Sequence, residues 1–334
     1  MSLKQRLILL SSFFFLSQGV ASAQNAPLHI VTSIKPLQSL VSAITNGTNP
    51  DMTLLIDGAG SPHNYTLKPS QADGLQKADV VFWIGHNFEV FLNKPLHALE
   101  KEDVAVAMDQ IVAKEEHGHE EHHEDAHHDH DHEDEHDAHA DEHHDHEDGD
   151  EEEGHHHEGG DPHLWLDPAL SIKMSHVIAD ALAKIDPAHK TTYQENSTKL
   201  IQKLTALDAK IQKQLSPVKN VPFVTFHDAY DRFSDHFGIN MVASITISPE
   251  KAPSAKRLKH IRDVIAKNKV RCVFGEPQFK PKLVQVVIEG TGAQAGTLDP
   301  LGMKPKAGQE HYFQMMNNIA SALETCLSSS AQGQ

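Results

Sequence analysis

Apolar positions along the chain fall into two alternating patterns. Short apolar runs at residues 28–33, 51–56, 78–84 and 104–107 read as strands, and 78–84 (ADVVFWI) is apolar without a break from Val80 to Ile84. A run of that kind belongs to a strand buried on both faces of a parallel sheet. Between these runs, residues 36–45, 69–77 and 88–99 carry helical spacing, while 57–63 is broken by Gly58, Gly60 and Pro62 and reads as loop. The same alternation returns later: strands at 221–226, 240–247, 270–274 and 293–298, with helices at 227–237, 254–268, 281–290 and 311–327. Strand and helix in turn imply an α/β sandwich.

Two helices separate the halves. Residues 168–185 form the first. The second starts at Asp186 and Pro187, an N-cap and N1 pair, and runs to residue 215. Its apolar stripe is Tyr193, Leu200, Leu204, Leu207, Ile211 and Leu215, and no glycine interrupts it. At 1.5 Å per residue it spans roughly 43 Å. The expected fold is α/β, with two similar lobes of parallel-type sheets flanked by helices and joined by one long rigid helix. Residues 24–168 make the first lobe, 169–217 the helices including the linker 187–215, and 218–334 the second lobe.

Residues 1–23 have the form of a secretory signal: Lys4 and Arg6, an apolar stretch at 7–16, and Ala21-Ser22-Ala23 as a cleavage site. That stretch is too short to span a bilayer, and no later run reaches the required length of about 20 residues. No cysteine precedes Cys272, so none stands at the cleavage site to take a lipid. The expectation is a soluble periplasmic protein without a lipid anchor. Cys272 and Cys326 are the only cysteines, and export favours one disulfide between them over two buried thiols.

Composition changes the picture at residues 115–161, which hold 16 of the 27 histidines and 23 of the 47 acidic residues. The run has no Lys, Arg, Ile, Leu, Val or aromatic residue. It cannot bury apolar area to offset the entropy of ordering, so disorder is expected. Without it, 24 acidic residues face 29 basic ones. The folded part is then nearly neutral, and no basic stripe points to nucleic acid. The run's histidines are His117, His119, His122, His123, His127, His128, His130, His132, His136, His139, His143, His144, His146, His155, His156 and His157. Imidazoles without fixed geometry should bind several ions weakly and exchange them fast. Two stretches match H-E-x-x-H, but that motif needs an ordered helix. In a tract of nearly pure His, Asp and Glu such matches arise by chance.

A specific site is better sought outside the run. His63 follows a strand, His163 precedes a helix, His227 stands where strand 221–226 ends, and Asp299 where strand 293–298 ends. Ligands of open parallel sheets sit at the carboxyl ends of strands. Two of these residues come from each half, so they can meet in the cleft between lobes. Three imidazoles and a carboxylate suit Zn²⁺. His86 and Glu276 also follow strands; His86 is the alternative ligand, and Glu276 reads as a hydrogen-bonding cleft residue. Trp165 reads as packing beside the site. A zinc hydrolase would share the three-histidine pattern but needs an acid/base partner with a matching motif, and a metal buffer acting through the run alone is the other alternative.

At Ser61-Pro62-His63-Asn64-Tyr65, Asp161-Pro162-His163-Leu164-Trp165-Leu166-Asp167-Pro168, Phe226-His227-Asp228-Ala229-Tyr230, Glu276-Pro277-Gln278-Phe279 and Gly296-Thr297-Leu298-Asp299-Pro300-Leu301-Gly302 the chain resembles the metal-binding receptors of bacterial ABC importers for zinc and manganese. The resemblance covers nearly the whole mature length. It implies two lobes on a long helix, and metal ligands at the positions of His63, His163 and His227. It also implies a Cys272–Cys326 disulfide. A histidine at the third position, where manganese-type relatives usually carry a carboxylate, implies zinc. Pro62 stands where zinc relatives often have Glu, which leaves the fourth ligand as Asp299 or a water. The expected protein is a monomeric, non-enzymatic periplasmic receptor that carries Zn²⁺ as cargo to a membrane permease.

Overall fold

Among the described residues, eight strands form two four-stranded sheets of identical topology. In the computed structural model, which describes residues 26–58, 60–112 and 160–329, every strand pair is parallel. The signal-like residues 1–23 and nearly all of the histidine run, including each of its histidines, lie outside the described residues.

The first lobe comprises β1 (His29–Ile34), α1 (Lys35–Ile44), β2 (Asp51–Ile56), α2 (Pro69–Lys77), β3 (Val80–Trp83), α3 (Val90–Ala98) and β4 (Ala105–Ala107). Its strand order is β2-β1-β3-β4. All four residues of β3 are buried, as expected for a central parallel strand flanked on both faces. Two helices follow, α4 (Pro168–Ile185) and α5 (Lys190–Leu215). The second lobe has β5 (Phe223–His227), α6 (Asp231–Phe237), β6 (Met241–Thr246), α7 (Ala255–Asn268), β7 (Cys272–Gly275), α8 (Lys282–Ile288), β8 (Gln294–Thr297) and α9 (His311–Ser328), in order β6-β5-β7-β8.

In each sheet the chain steps first to one side of the leading strand and then to the other. This creates a switch point between β1 and β3 and another between β5 and β7. The loops beyond the strand ends diverge there and leave a crevice.

Helix α5 is 26 residues long, about 39 Å at 1.5 Å per residue. A 3₁₀ turn at Pro187–His189 precedes it, so the α-helix proper begins three residues later than the Asp186-Pro187 signal suggests. The six residues of its predicted stripe are all buried, joined by Ser197. The helix is packed along its length against α4, α1 and α9, so its stiffness comes from tertiary packing as well as from its sequence.

One apolar cluster runs from β1 and α1 through α4 and α5 to Phe233 and Phe237 of α6 and Tyr312 of α9. A smaller one, including Val224, Ile261, Val273 and Val284, fills the other face of the second sheet. The lobes thus share a core. Cys272 of β7 and Cys326 of α9 are disulfide-bonded, which ties the closing helix to the second sheet.

Candidate metal centre

Local sequence places three imidazoles around one point. Pro62 opens a 3₁₀ turn, Pro62–Asn64, that carries His63 in the loop after β2. His163 stands at the head of a second 3₁₀ turn, Leu164–Leu166, all of whose residues are buried. His227 is the last residue of β5, at the switch point of the second sheet. Ring centroids lie 5.5 Å apart for His63 and His163, 5.8 Å for His63 and His227, and 5.3 Å for His163 and His227. One donor atom from each ring lies within 4.8 Å of the others, and His163 and His227 are buried.

Carboxylates hold two of these rings from behind. His227 Nδ1 lies 2.5 Å from Glu276 Oε1, and Glu276 follows β7, the strand beside β5. His163 Nδ1 lies 2.6 Å from Asp161 Oδ1, which also accepts the His163 backbone N–H at 2.9 Å. An ionised carboxylate only accepts, so each Nδ1 carries a proton and each ring turns its Nε2 forward. The two Nε2 atoms face each other at 3.4 Å. Two lone pairs at that distance repel unless a cation or a proton lies between them. Zn–N bonds of about 2.05 Å at the tetrahedral angle put two nitrogens about 3.3 Å apart. The observed separation is close to one edge of such a tetrahedron, and each ring has a carboxylate behind it, the pairing that orients metal-binding imidazoles.

The surroundings are apolar. The rings line a cavity of about 20 Å³ together with Phe88, Trp165, Phe279, Pro300 and Leu301. That is room for a single water or ion. Phe88 stacks edge-on to His63 at 4.9 Å and to His163 at 5.3 Å. Trp165 is buried against both Phe88 and His163, and its Nε1–H donates to the Pro300 carbonyl at 2.7 Å. Excluding water lowers the local dielectric and strengthens any ion–donor interaction inside. Burial pushes the Asp161 carboxyl up, but the charge and hydrogen bonds of His163 and the Arg232 backbone N–H outweigh it and hold it below the usual carboxylate range. Burial, then the charges of Glu276 and Asp299, push the Tyr230 hydroxyl well above its ordinary value.

The other expected residues fall elsewhere. Asp299 follows β8 and lies outside the three-imidazole group. Its Oδ2 accepts the Met303 backbone N–H at 2.6 Å, and its Oδ1 lies 3.4 Å from Gln278 Nε2. His86 packs on Trp83 at 4.7 Å and pairs with Asn93, also outside the group. Glu276 lies behind His227 as a hydrogen-bond partner. The support from Asp161 and the aromatic wall at Phe88 were not anticipated from sequence. The spacing Asp161-x-His163 was a usable signal, because an Asp side chain reaches the backbone N–H two residues on.

A family model, zinc-uptake complex component A (periplasmic), matches residues 30–326. The chain belongs to the ZnuA family. A high-affinity zinc uptake system protein ZnuA from Brucella suis is 44% identical over 306 residues, covering 90% of this chain and 91% of that one. A crystal structure of a ZnuA superposes with a TM-score of 0.69 at 23% identity, over 91% of this chain and 100% of the other. The periplasmic zinc-binding protein TroA from Treponema pallidum superposes with a TM-score of 0.72 at 20% identity, again over 91% and 100%. Both structures share the two-lobed ZnuA-family fold.

Proposed function

We propose that this protein is a periplasmic receptor that takes up Zn²⁺ at His63, His163 and His227 and delivers it to the permease of an ABC importer. A water, or Asp299 after a local shift, completes the fourth position. The observation that carries this reading is the facing pair of Nε2 atoms at 3.4 Å, each on a ring whose Nδ1 is committed to a carboxylate. The names of the relatives, zinc uptake proteins, agree with that donor set.

Transport outside the cytoplasm suits the family description, and no helix among the described residues is long and apolar enough to cross a membrane. The signal at residues 1–23 would direct export, and the mature chain acts as a monomer. No catalytic step is assigned to the cleft. The run at 115–161 collects ions weakly and hands them to the cleft it adjoins at His163.

The test is zinc stoichiometry and affinity by chelator competition. The wild-type chain is expected to bind one zinc tightly in the cleft, and the triple variant His63→Ala, His163→Ala, His227→Ala to lose that site. Tight binding of one zinc by the triple variant refutes the reading. Deletion of residues 115–159 is expected to slow loading at scarce zinc while leaving the tight site intact. An unchanged loading rate removes the collector role.

A further inference from the structure

His163 belongs to the first lobe by sequence, yet the segment that carries it is held by the second. Arg232, in the first turn of α6, donates its Nε–H to the Asp161 carbonyl at 2.5 Å, and its backbone N–H faces Asp161 Oδ2 at 3.3 Å. Asp161 Oδ1 in turn takes both the Nδ1–H and the backbone N–H of His163. One carboxylate therefore bridges α6 to the ring, with only 13% of its side chain exposed. Gly160 allows this approach: it has φ +70°, and a Cβ there would stand 3.3 Å from the Arg232 guanidinium. Arg232 sits five residues beyond His227, whose own ring faces that of His163.

We propose that Arg232 is a positioning residue for the metal site. Acting through Asp161, it fixes from the second lobe the imidazole that the first lobe contributes. The inference rests on the zinc-site reading above. Without Arg232 the Asp161 main chain loses its anchor, the Asp161 carboxylate loses its register, and the His163 ring is free to turn its Nε2 away from His227. Opening the cleft therefore breaks the Arg232–Asp161 contacts in the same movement that withdraws His227. The loss of one ligand is thereby coupled to the loosening of a second, which favours release over retention once the lobes part.

The experiment measures zinc affinity and dissociation rate on the full chain for Arg232→Ala, Arg232→Lys, Asp161→Asn and the Arg232→Ala/Asp161→Asn double variant. The visible spectrum of the Co²⁺-loaded protein and the melting temperature of the metal-free protein are recorded alongside. Loss of such outer support typically weakens metal binding by roughly 10- to 100-fold. Arg232→Ala is expected in that range, through faster dissociation and with altered Co²⁺ bands. Arg232→Lys, which keeps the charge and one donor, is expected to recover part of the loss. The double variant is expected to bind within about twofold of Asp161→Asn alone, because both changes cut one chain of contacts.

A purely structural role for Arg232 would lower the melting temperature and leave affinity and Co²⁺ bands unchanged. That outcome overturns the proposal, as does a double variant whose loss equals the product of the single losses. If Arg232→Ala does not fold, the lysine and Asp161→Asn variants decide: wild-type affinity in both overturns it. Wild-type zinc binding that is abolished in the triple histidine variant but unaffected by Arg232→Ala refutes this inference alone and leaves the zinc-site reading standing.

Discussion

His236 offers a measurable test of how the second lobe grips the connecting helices. Its Nδ1 lies 3.0 Å from Asp167 Oδ1, the N-cap of α4, and its Nε2 lies 2.8 Å from Asp208 Oδ1 on α5. An imidazole that donates from both nitrogens is an imidazolium. The hydrogen bond to Asp167, then that to Asp208 and the charges of both, overcome burial and raise the His236 pKa from 6.5 to about 9. At about 1.4 kcal/mol per unit, that shift sets an upper figure of about 3.5 kcal/mol. The paired side chains are 18% to 31% exposed, and solvent screening brings the expected value to about 2 kcal/mol.

The sign comes from linkage. The folded pKa lies above the unfolded one, so the stabilisation is complete below pH 6.5 and is lost as pH rises through 9. The perturbation is His236→Asn in the chelator-treated protein, and the assay is denaturant unfolding of both chains at pH 6, 7.5 and 9.5. Wild type should exceed the variant by about 2 kcal/mol at pH 6, with the gap shrinking to a small constant remainder above pH 9. A gap that stays level across this range, or widens with pH, refutes the reasoning.

Other outcomes test the site itself. Glu276→Gln removes the carboxylate behind His227 with little change of shape, and zinc affinity should fall roughly 10- to 100-fold; affinity within twofold of wild type contradicts the assigned support. Asp299→Asn keeps an acceptor for the Met303 N–H, and zinc affinity is expected to stay within about threefold because water fills the fourth position. A loss of about tenfold or more makes Asp299 the fourth ligand. The double variant Cys272→Ser/Cys326→Ser opens a bond spanning 54 residues of sequence, worth about 4 kcal/mol in the chain-entropy account. The folded fraction should bind zinc normally, since Cys272 starts β7 and Glu276 lies beyond its other end.

Much of the fold was legible in local pattern. The apolar stretch Val80 to Ile84 announced a doubly covered strand, and β3 is buried throughout. The three-and-four spacing along α5 named its buried stripe. Breakers and strand ends put His63 in a loop and His227 at the carboxyl end of a strand, where ligands collect. These features are short-range: periodicity records which face of an element meets the core, and turn residues record where it stops. The same logic slipped after β5. A helix was expected from residue 227, but the strand runs on through His227 and α6 begins at Asp231. The intervening Ala229 N–H bonds back to the His227 carbonyl at 2.9 Å, a turn that aims the ring into the cleft.

What only tertiary structure decided is which group stands behind each imidazole. Glu276 reaches His227 across 49 residues of sequence, and Arg232 reaches Asp161 across 71. His236 finds Asp167 and Asp208 on two different helices. Such partners are set by the crossing of packed elements, which no periodicity encodes. The residue types of the three histidines, the strand-end positions of His63 and His227 and the place of His163 ahead of a helix were determined by the sequence alone. The carboxylate behind His163 and behind His227, the facing of those two rings at 3.4 Å and the contact of Arg232 with Asp161 required the fold, because a hydrogen bond constrains a ring only once both partners are fixed in space.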